Sequence, residues 1–210
     1  MASAATAERR SALAHEPTTT YAAAGINGST RVRLAEIAHT VKLNLRGDPA
    51  DRGFMTAVGK VLDMVLPTDP NTTAGSGAVT ALWLGPDEWL LTAPPDGAPG
   101  LLDALGGALA GLAAGVVDVG DNSTVIRLAG PRARDVLAKG CPLDLHARAF
   151  RPGQVAQSLI AGVDAVLHRT EADDDAGGPV FEIYVRRSFA AYLWRWLADS
   201  GLEYGVTVDD

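Results

Sequence analysis

From residue 41 onward the apolar positions switch repeatedly between a period of two and a period of 3.6. Val41, Leu43 and Leu45 alternate with polar neighbours, which predicts a strand with one buried face. Gly47-Asp48-Pro49 then offers a cap and a first-turn proline, and Phe54, Val58, Val61, Leu62 and Val65 form a helical stripe that Pro67 stops. The run "AVTALWLGPDEWLLTAPP" predicts two strands around a tight turn. Leu101, Leu105, Ala108, Leu109 and Leu112 make a second helical stripe, and "GVVDVG" a further strand.

The same order, β, α, β, β, α, β, then starts again. "TVIRLAG" is a strand, and Pro131 opens a short helix carrying Ala133, Val136 and Leu137, closed by Gly140 and Pro142. "AQSLIAGVDAVLHRTE" and "VFEIYV" supply strands joined across an acidic, glycine-rich loop, followed by the helix "SFAAYLWRWLADS" and a last strand in "LEYGVTV". "LNLRGDPA" and "IRLAGPRA" match each other as strand, glycine, proline, helix. The expected fold is α+β: two ferredoxin-like βαββαβ units packed together, at about residues 30–121 and 122–210. Each unit leaves one sheet face without helices, and stacking two units buries both. Residues 1–29, small, polar and aperiodic, are expected to form a flexible arm.

Composition narrows the function classes. A chain of 210 residues with 47% hydrophobic and 20% charged positions is globular. The net charge of −7 argues against nucleic acid as a partner, since a phosphate-binding surface is normally basic. The single cysteine, Cys141, excludes an internal disulfide and suits a reducing compartment. No apolar run approaches the roughly 18 residues of a membrane span, and the N-terminus lacks the apolar core of a secretory signal. The expectation is a cytoplasmic protein without a membrane partner.

Motifs that would carry chemistry are missing or misplaced. Gly75-Ser76-Gly77 precedes a strand rather than a helix, and Gly59-Lys60 lies inside a helix, so neither makes a phosphate loop. His15, His39, His146 and His168 are scattered, which gives no metal-ligand spacing. Cys141 follows a helix-closing glycine and precedes proline, a packing position rather than a nucleophile beside His146. Asp87 and Glu88, between Trp83 and Trp89, fall where Pro86 sets a type I turn, so they occupy a hairpin tip, ionised and solvated.

The last helix speaks to partners. Phe189, Tyr192, Leu193, Trp196 and Leu197 share one stripe, expected to be core, and Trp194 stands about 140° from Phe189 at about 100° per residue. Either a second layer of this chain or another subunit covers Trp194, and tryptophan is enriched at interface centres. Arg186, Arg187 and Arg195 can position an acidic partner. The candidate partner-interface set is Trp194, Arg186, Arg187, Arg195, Asp87, Glu88 and Trp89; no catalytic, cofactor or metal residue is assigned.

"WLGPDEWLL", "VIRLAGPRARDVLAKGCPLDLH", "RPGQVAQSLIAGVDAVLHR" and "FEIYVRRSFAAYLWRWLAD", in this order over residues 30–205, resemble the gamma subunit of heterotetrameric sarcosine oxidase. "DVGDNSTVIRLAGPRARDVL" more distantly resembles the folate-binding fold of the glycine-cleavage T protein. The resemblance implies an accessory subunit of a complex that demethylates sarcosine oxidatively to glycine, a one-carbon unit and hydrogen peroxide. It implies alpha, beta and delta subunits as partners, with FAD, FMN, NAD, tetrahydrofolate and zinc on those chains and no cofactor on this one. Two alternatives stand beside it: a folate-binding one-carbon transferase of the T-protein kind, and an assembly module of a related N-methyl amine dehydrogenase. Against the transferase, the T protein's paired carboxylates have only Asp164 here, in "AGVDAVLHR".

Overall fold

Two sheets, each with helices on its outer face, stack through a third hydrophobic layer. The computed structural model describes residues 9–26, 28–175 and 177–209. In chain order the elements are β1 (Val32–Ile37), β2 (Val41–Arg46), α1 (Arg52–Leu62), β3 (Thr73–Ser76), β4 (Val79–Gly85), β5 (Glu88–Ala93), α2 (Leu101–Ala108) and β6 (Gly115–Asp118). They continue as β7 (Ser123–Ala129), α3 (Ala133–Ala138), β8 (Gln154–Ile160), β9 (Val163–Asp173), β10 (Pro179–Arg186), α4 (Ala190–Gly201) and β11 (Val206–Val208).

The five-stranded sheet runs β3-β4-β5-β2-β6, all antiparallel, and the six-stranded sheet runs β11-β1-β7-β10-β9-β8, with β1 and β11 parallel. Alternation along each strand decides which residues meet which layer. Leu43, Leu45, Trp89 and Leu91 face α1 and α2. Ile126, Leu128, Phe181 and Ile183 face α3 and α4. The opposite faces of the two sheets meet through Leu82, Leu90, Val125, Val155 and Tyr184. The strands read from the sequence are present in an α+β fold of two sheets, one antiparallel and one mixed; β1 and β3, which the sequence reading did not give, add to them, and three strands rather than two lie between the helices of each half.

Four local expectations are corrected. β1, at the start of the first expected half, inserts into the sheet of the second half between β11 and β7, so a boundary at residue 121 does not separate the sheets. α1 is capped by Asp51, whose carboxylate accepts from the amides of Gly53 and Phe54, while Asp48 accepts from Ala50 one turn earlier. That helix ends at Leu62 because Asp63 turns left-handed at φ 51°, which leaves Val65 79% exposed rather than in the stripe. Gly75-Ser76-Gly77, by contrast, leads into a strand as expected: it ends β3 and turns into β4, Gly77 with φ 56°.

The fourth concerns the arm. Residues 1–8 and Asn27 lie outside the described residues, but the rest of the segment is packed. Leu13 is buried in the core beneath α4, Glu16 is clasped by Arg195, and Ala23 bridges Val206 of β11. Gly205 admits this crossing: at φ 80°, a Cβ there would stand 2.0 Å from the Ser29 carbonyl oxygen.

Candidate functional site

Cross-strand registers build a cleft between the sheets. On the six-stranded sheet, Leu159 pairs with Asp164, and Arg186 with Ser123; Val185 pairs with Ala165, which sets Asp164 beside Arg186 in the same transverse row. One row inward, Val166, Tyr184 and Val125 are apolar or half-apolar and close the floor. On the facing sheet Leu90 and Asn44 pair, then Glu88 and Arg46. The walls enclose about 580 Å³. Arg186 and Asp164 line this space, and no ion pair to either is formed among the described residues. The cleft can thus take polar groups of either sign at its mouth and apolar ones deeper in.

The carboxylates of the β4–β5 hairpin behave as a turn. Gly85 pairs with Glu88 at its tip, and Asp87 points to solvent with Arg46 at 3.6 Å. Glu88 is the more sheltered of the two: it accepts from Asn44 at 2.7 Å and from Arg46, and it lines the cleft. The two tryptophans pair across the hairpin. Trp89, expected at an interface, is a core residue with no exposed surface; its Nε1 donates to the Pro67 carbonyl at 2.7 Å and its ring lies 5.8 Å from that of Phe54.

Trp194 is likewise corrected. It is 1% exposed, whereas Phe189 and Tyr192 are 47% and 50% exposed. α4 turns the stripe Ala190, Leu193, Trp194, Leu197, Ala198 and Gly201 toward the sheet, one position round from the stripe that the sequence suggested. The small residues decide it. Ala190, Ala198 and Gly201 let the helix lie close, and a Cβ on Gly201 would come within 2.7 Å of Val206. The first of the two open readings for Trp194, cover by this chain, is the one observed, with Leu13 and Glu16 of the N-terminal segment beside it. Arg195 is spent on Glu16, while Arg187 reaches the Asp121 carbonyl at 3.4 Å.

Sequence reasoning missed a buried polar layer at the far end of the cleft. Tyr184 donates to Glu182 at 2.8 Å, and His168 Nδ1 stands 3.4 Å from the same oxygen. Burial, then the Glu182 charge, pushes the Tyr184 phenol well up. Burial also works to raise Glu182, but the hydrogen bonds and charge of His168 and the bond from Tyr184 outweigh it and hold the carboxyl below its usual range. On the opposite sheet Lys42 is 1% exposed and donates to the Thr40 carbonyl at 3.0 Å. Desolvation, helped by the charge of Arg9, lowers its pKa to about 8. The available signal was Lys42, Asn44 and Arg46 alternating with Val41, Leu43 and Leu45: in a stacked pair of sheets the polar face of such a strand must also be covered.

At the N-terminus of α1, where a phosphate would be held, the amides are already taken by Asp51. Among the described residues no three His, Cys, Asp or Glu side chains converge on a metal position. Cys141 is buried, its Sγ 4.0 Å from the Ser158 hydroxyl. No helix is long and apolar enough to cross a membrane.

Stacked α/β sheets of this kind define an aminomethyltransferase-like fold. The glycine cleavage system aminomethyltransferase T from Bartonella henselae superposes with a TM-score of 0.64 at 18% identity, over 93% of this chain and 51% of that one. The chain belongs to the sarcosine oxidase gamma subunit family, which matches residues 46–203. It is 37% identical to the sarcosine oxidase subunit gamma of Corynebacterium sp. (strain U-96), over 94% of this chain and 92% of that protein. In the solved structure of the heterotetrameric sarcosine oxidase from Corynebacterium sp. U-96 in complex with pyrrole 2-carboxylate, one chain aligns with a TM-score of 0.80 at 35% identity, covering 93% of this chain and 96% of that one.

Proposed function

We propose that this chain acts as the accessory gamma subunit of a four-chain sarcosine oxidase, built from two ferredoxin-like units whose helix-free faces meet. In that complex sarcosine is demethylated oxidatively to glycine, a one-carbon unit and hydrogen peroxide, with FAD, FMN, NAD, tetrahydrofolate and zinc carried by alpha, beta and delta partners. The near full-length match to a chain of a heterotetrameric enzyme carries this reading. The oxidation needs an electron acceptor, which a cofactor must supply; the residues of this chain provide surface and shape.

For the surface, Arg186, Arg187 and the exposed Phe189 and Tyr192 take the place of Trp194 and Trp89 as contact candidates. They sit together at one end of the six-stranded sheet, where Arg186 forms no ion pair among the described residues and Tyr192 is anchored to the Ala161 carbonyl at 3.0 Å. An apolar centre flanked by arginines suits an acidic-rimmed partner.

The test is reconstitution. The isolated chain is expected to be colourless and inactive toward sarcosine, and to restore peroxide production when added to a complex prepared without it. Turnover or a flavin spectrum in the isolated chain would overturn the reading. Tight binding of a reduced folate by the isolated chain would favour the transferase instead, with the polar cleft as its site.

A further inference from the structure

The two sheets have four lateral edges, and among the described residues three of them carry a backbone bridge to another segment. β11 is closed by Ala23, whose amide donates to the Val206 carbonyl at 2.9 Å and whose carbonyl accepts from the Val206 amide at 2.7 Å. β3 and β8 meet at one bridge near their starts, with Thr73 N–H on Gly153 O at 3.1 Å and Val155 N–H on Asn71 O at 3.0 Å. β6 is the fourth. It pairs with β2, and no described residue pairs with its other side.

The ladder specifies which groups are left over. Val119 N–H donates to Lys42 O at 2.9 Å, and Gly47 N–H donates to Asp87 O at 3.1 Å on the other side of β2. Antiparallel ladders bond alternate residues. Lys42, Asn44 and Arg46 therefore bond toward β6, through Val119, Val117 and Gly115, and the N–H and C=O of Val116 and Asp118 point away from the sheet. Edge strands are normally blunted by charge, proline, a bulge or a cover. β6 is four residues long and ends on the exposed Asp118, but Gly115-Val116-Val117 has no charge and no proline, its register with β2 is unbroken, and the Val117 side chain is 61% exposed on the face shared with Asn44 of the cleft.

We infer that β6 is an assembly edge, to which an extended segment of a partner subunit adds as a sixth strand through the outward amides and carbonyls of Val116 and Asp118. An aliphatic residue of that segment packs opposite Val117, where cross-strand pairs gain most. A second copy of this chain fits less well, because each copy carries a net charge of −7. The identity of the partner rests on the gamma-subunit reading; the open edge does not.

Residue-resolved hydrogen exchange on the isolated chain and on the assembled complex tests this. The Val116 and Asp118 amides are expected to exchange fast in the isolated chain and at least about tenfold more slowly in the complex, with Val117 slow in both. Equal exchange in both states overturns the inference while leaving the gamma-subunit reading intact; a complex that does not form overturns that reading instead. Amides already slow in the isolated chain also overturn it, in favour of the chain's own residues or, if the slowing grows with concentration, of a second copy. Val116→Pro removes one outward donor without touching the β2 ladder, and Val117→Asp places a charge at the seam. Each folded variant is expected to lose co-purification at least about tenfold, and wild-type recovery of folded Val117→Asp would contradict the assignment even if the proline variant fails to fold.

Discussion

Arg195 of α4 donates two hydrogen bonds at 2.8 Å to Glu16, one to each carboxylate oxygen. The pair ties the N-terminal segment across the last helix, beside Trp194, and so turns an expected loose arm into part of the wall. The Glu16 carboxyl is held below its usual range chiefly by the Arg195 bond. Deleting residues 1–17 is expected to uncover Trp194. Acrylamide quenching of tryptophan fluorescence should rise and the emission shift to the red; unchanged quenching would mean that the segment covers nothing.

The rotated face of α4 gives a paired expectation. Trp194→Ala removes a ring that is 1% exposed and should cost about 3–5 kcal/mol in urea denaturation, as for other large core truncations. Phe189→Ser, at a position 47% exposed, should stay within about 0.5 kcal/mol. The reverse ranking would restore the stripe first read from the sequence.

Lys42 links the core to alkaline pH. Its folded pKa, about 8, lies below the 10.5 of an unfolded lysine, so the unfolded chain binds more protons between those values and stability rises with pH across that window. Below pH 8 the full cost of the buried ammonium is present. Lys42→Met should therefore stabilise the protein at pH 7 by roughly 1–3 kcal/mol, on the scale of about 1.4 kcal/mol per pKa unit, and the gain should vanish above about pH 10.5. Melting curves of both proteins across pH 6–11 decide it.

Glu182 acts at the other end of the scale. Its folded pKa is lowered, so the stability it contributes is present above about 4.5, the unfolded value, and is lost as pH falls through the folded one. Glu182→Gln should be less stable than wild type at pH 7 by roughly 1–3 kcal/mol, as for hydrogen bonds to a charged group, with the two proteins converging in acid. A constant difference down to pH 3 would detach Glu182 from the network with Tyr184 and His168.

Much of the layout was legible because the alternation is strong. Val41, Leu43 and Leu45 could only be one face of a strand, and the glycine and proline after each first strand announced a helix, which starts two or three residues beyond the proline, at Arg52 and at Ala133. Three things were not legible, each for a physical reason. β1 alternates as well as its neighbours do, but its place between β11 and β7 is a long-range pairing that no local period encodes. On α4 two apolar stripes overlap at Leu193 and Leu197, and close packing by Ala190, Ala198 and Gly201 chose between them. The buried row of Tyr184, Glu182 and His168 looks, in sequence, like the solvated face of ordinary strands. Among the candidate interface residues, Glu88 and Arg186 come together on one cleft, Asp87 stays at its solvated tip, and Trp89 and Trp194 leave the surface altogether.

The exposed arginines make a further point for assembly. Arg186→Ala with Arg187→Ala should slow association with the partner chains and flatten its dependence on salt, because rim charges act mainly on the encounter rate. Stopped-flow association at low and high ionic strength measures this; an unchanged salt slope would remove both residues from the contact surface.

Native mass spectrometry of the tagged chain, purified from its own cells under gentle conditions, addresses the role of this chain most directly. The account predicts one complex holding this chain once with three different partners, and peroxide production from sarcosine in the same fraction. A chain recovered alone, with the sarcosine-oxidising activity in another fraction, would contradict it.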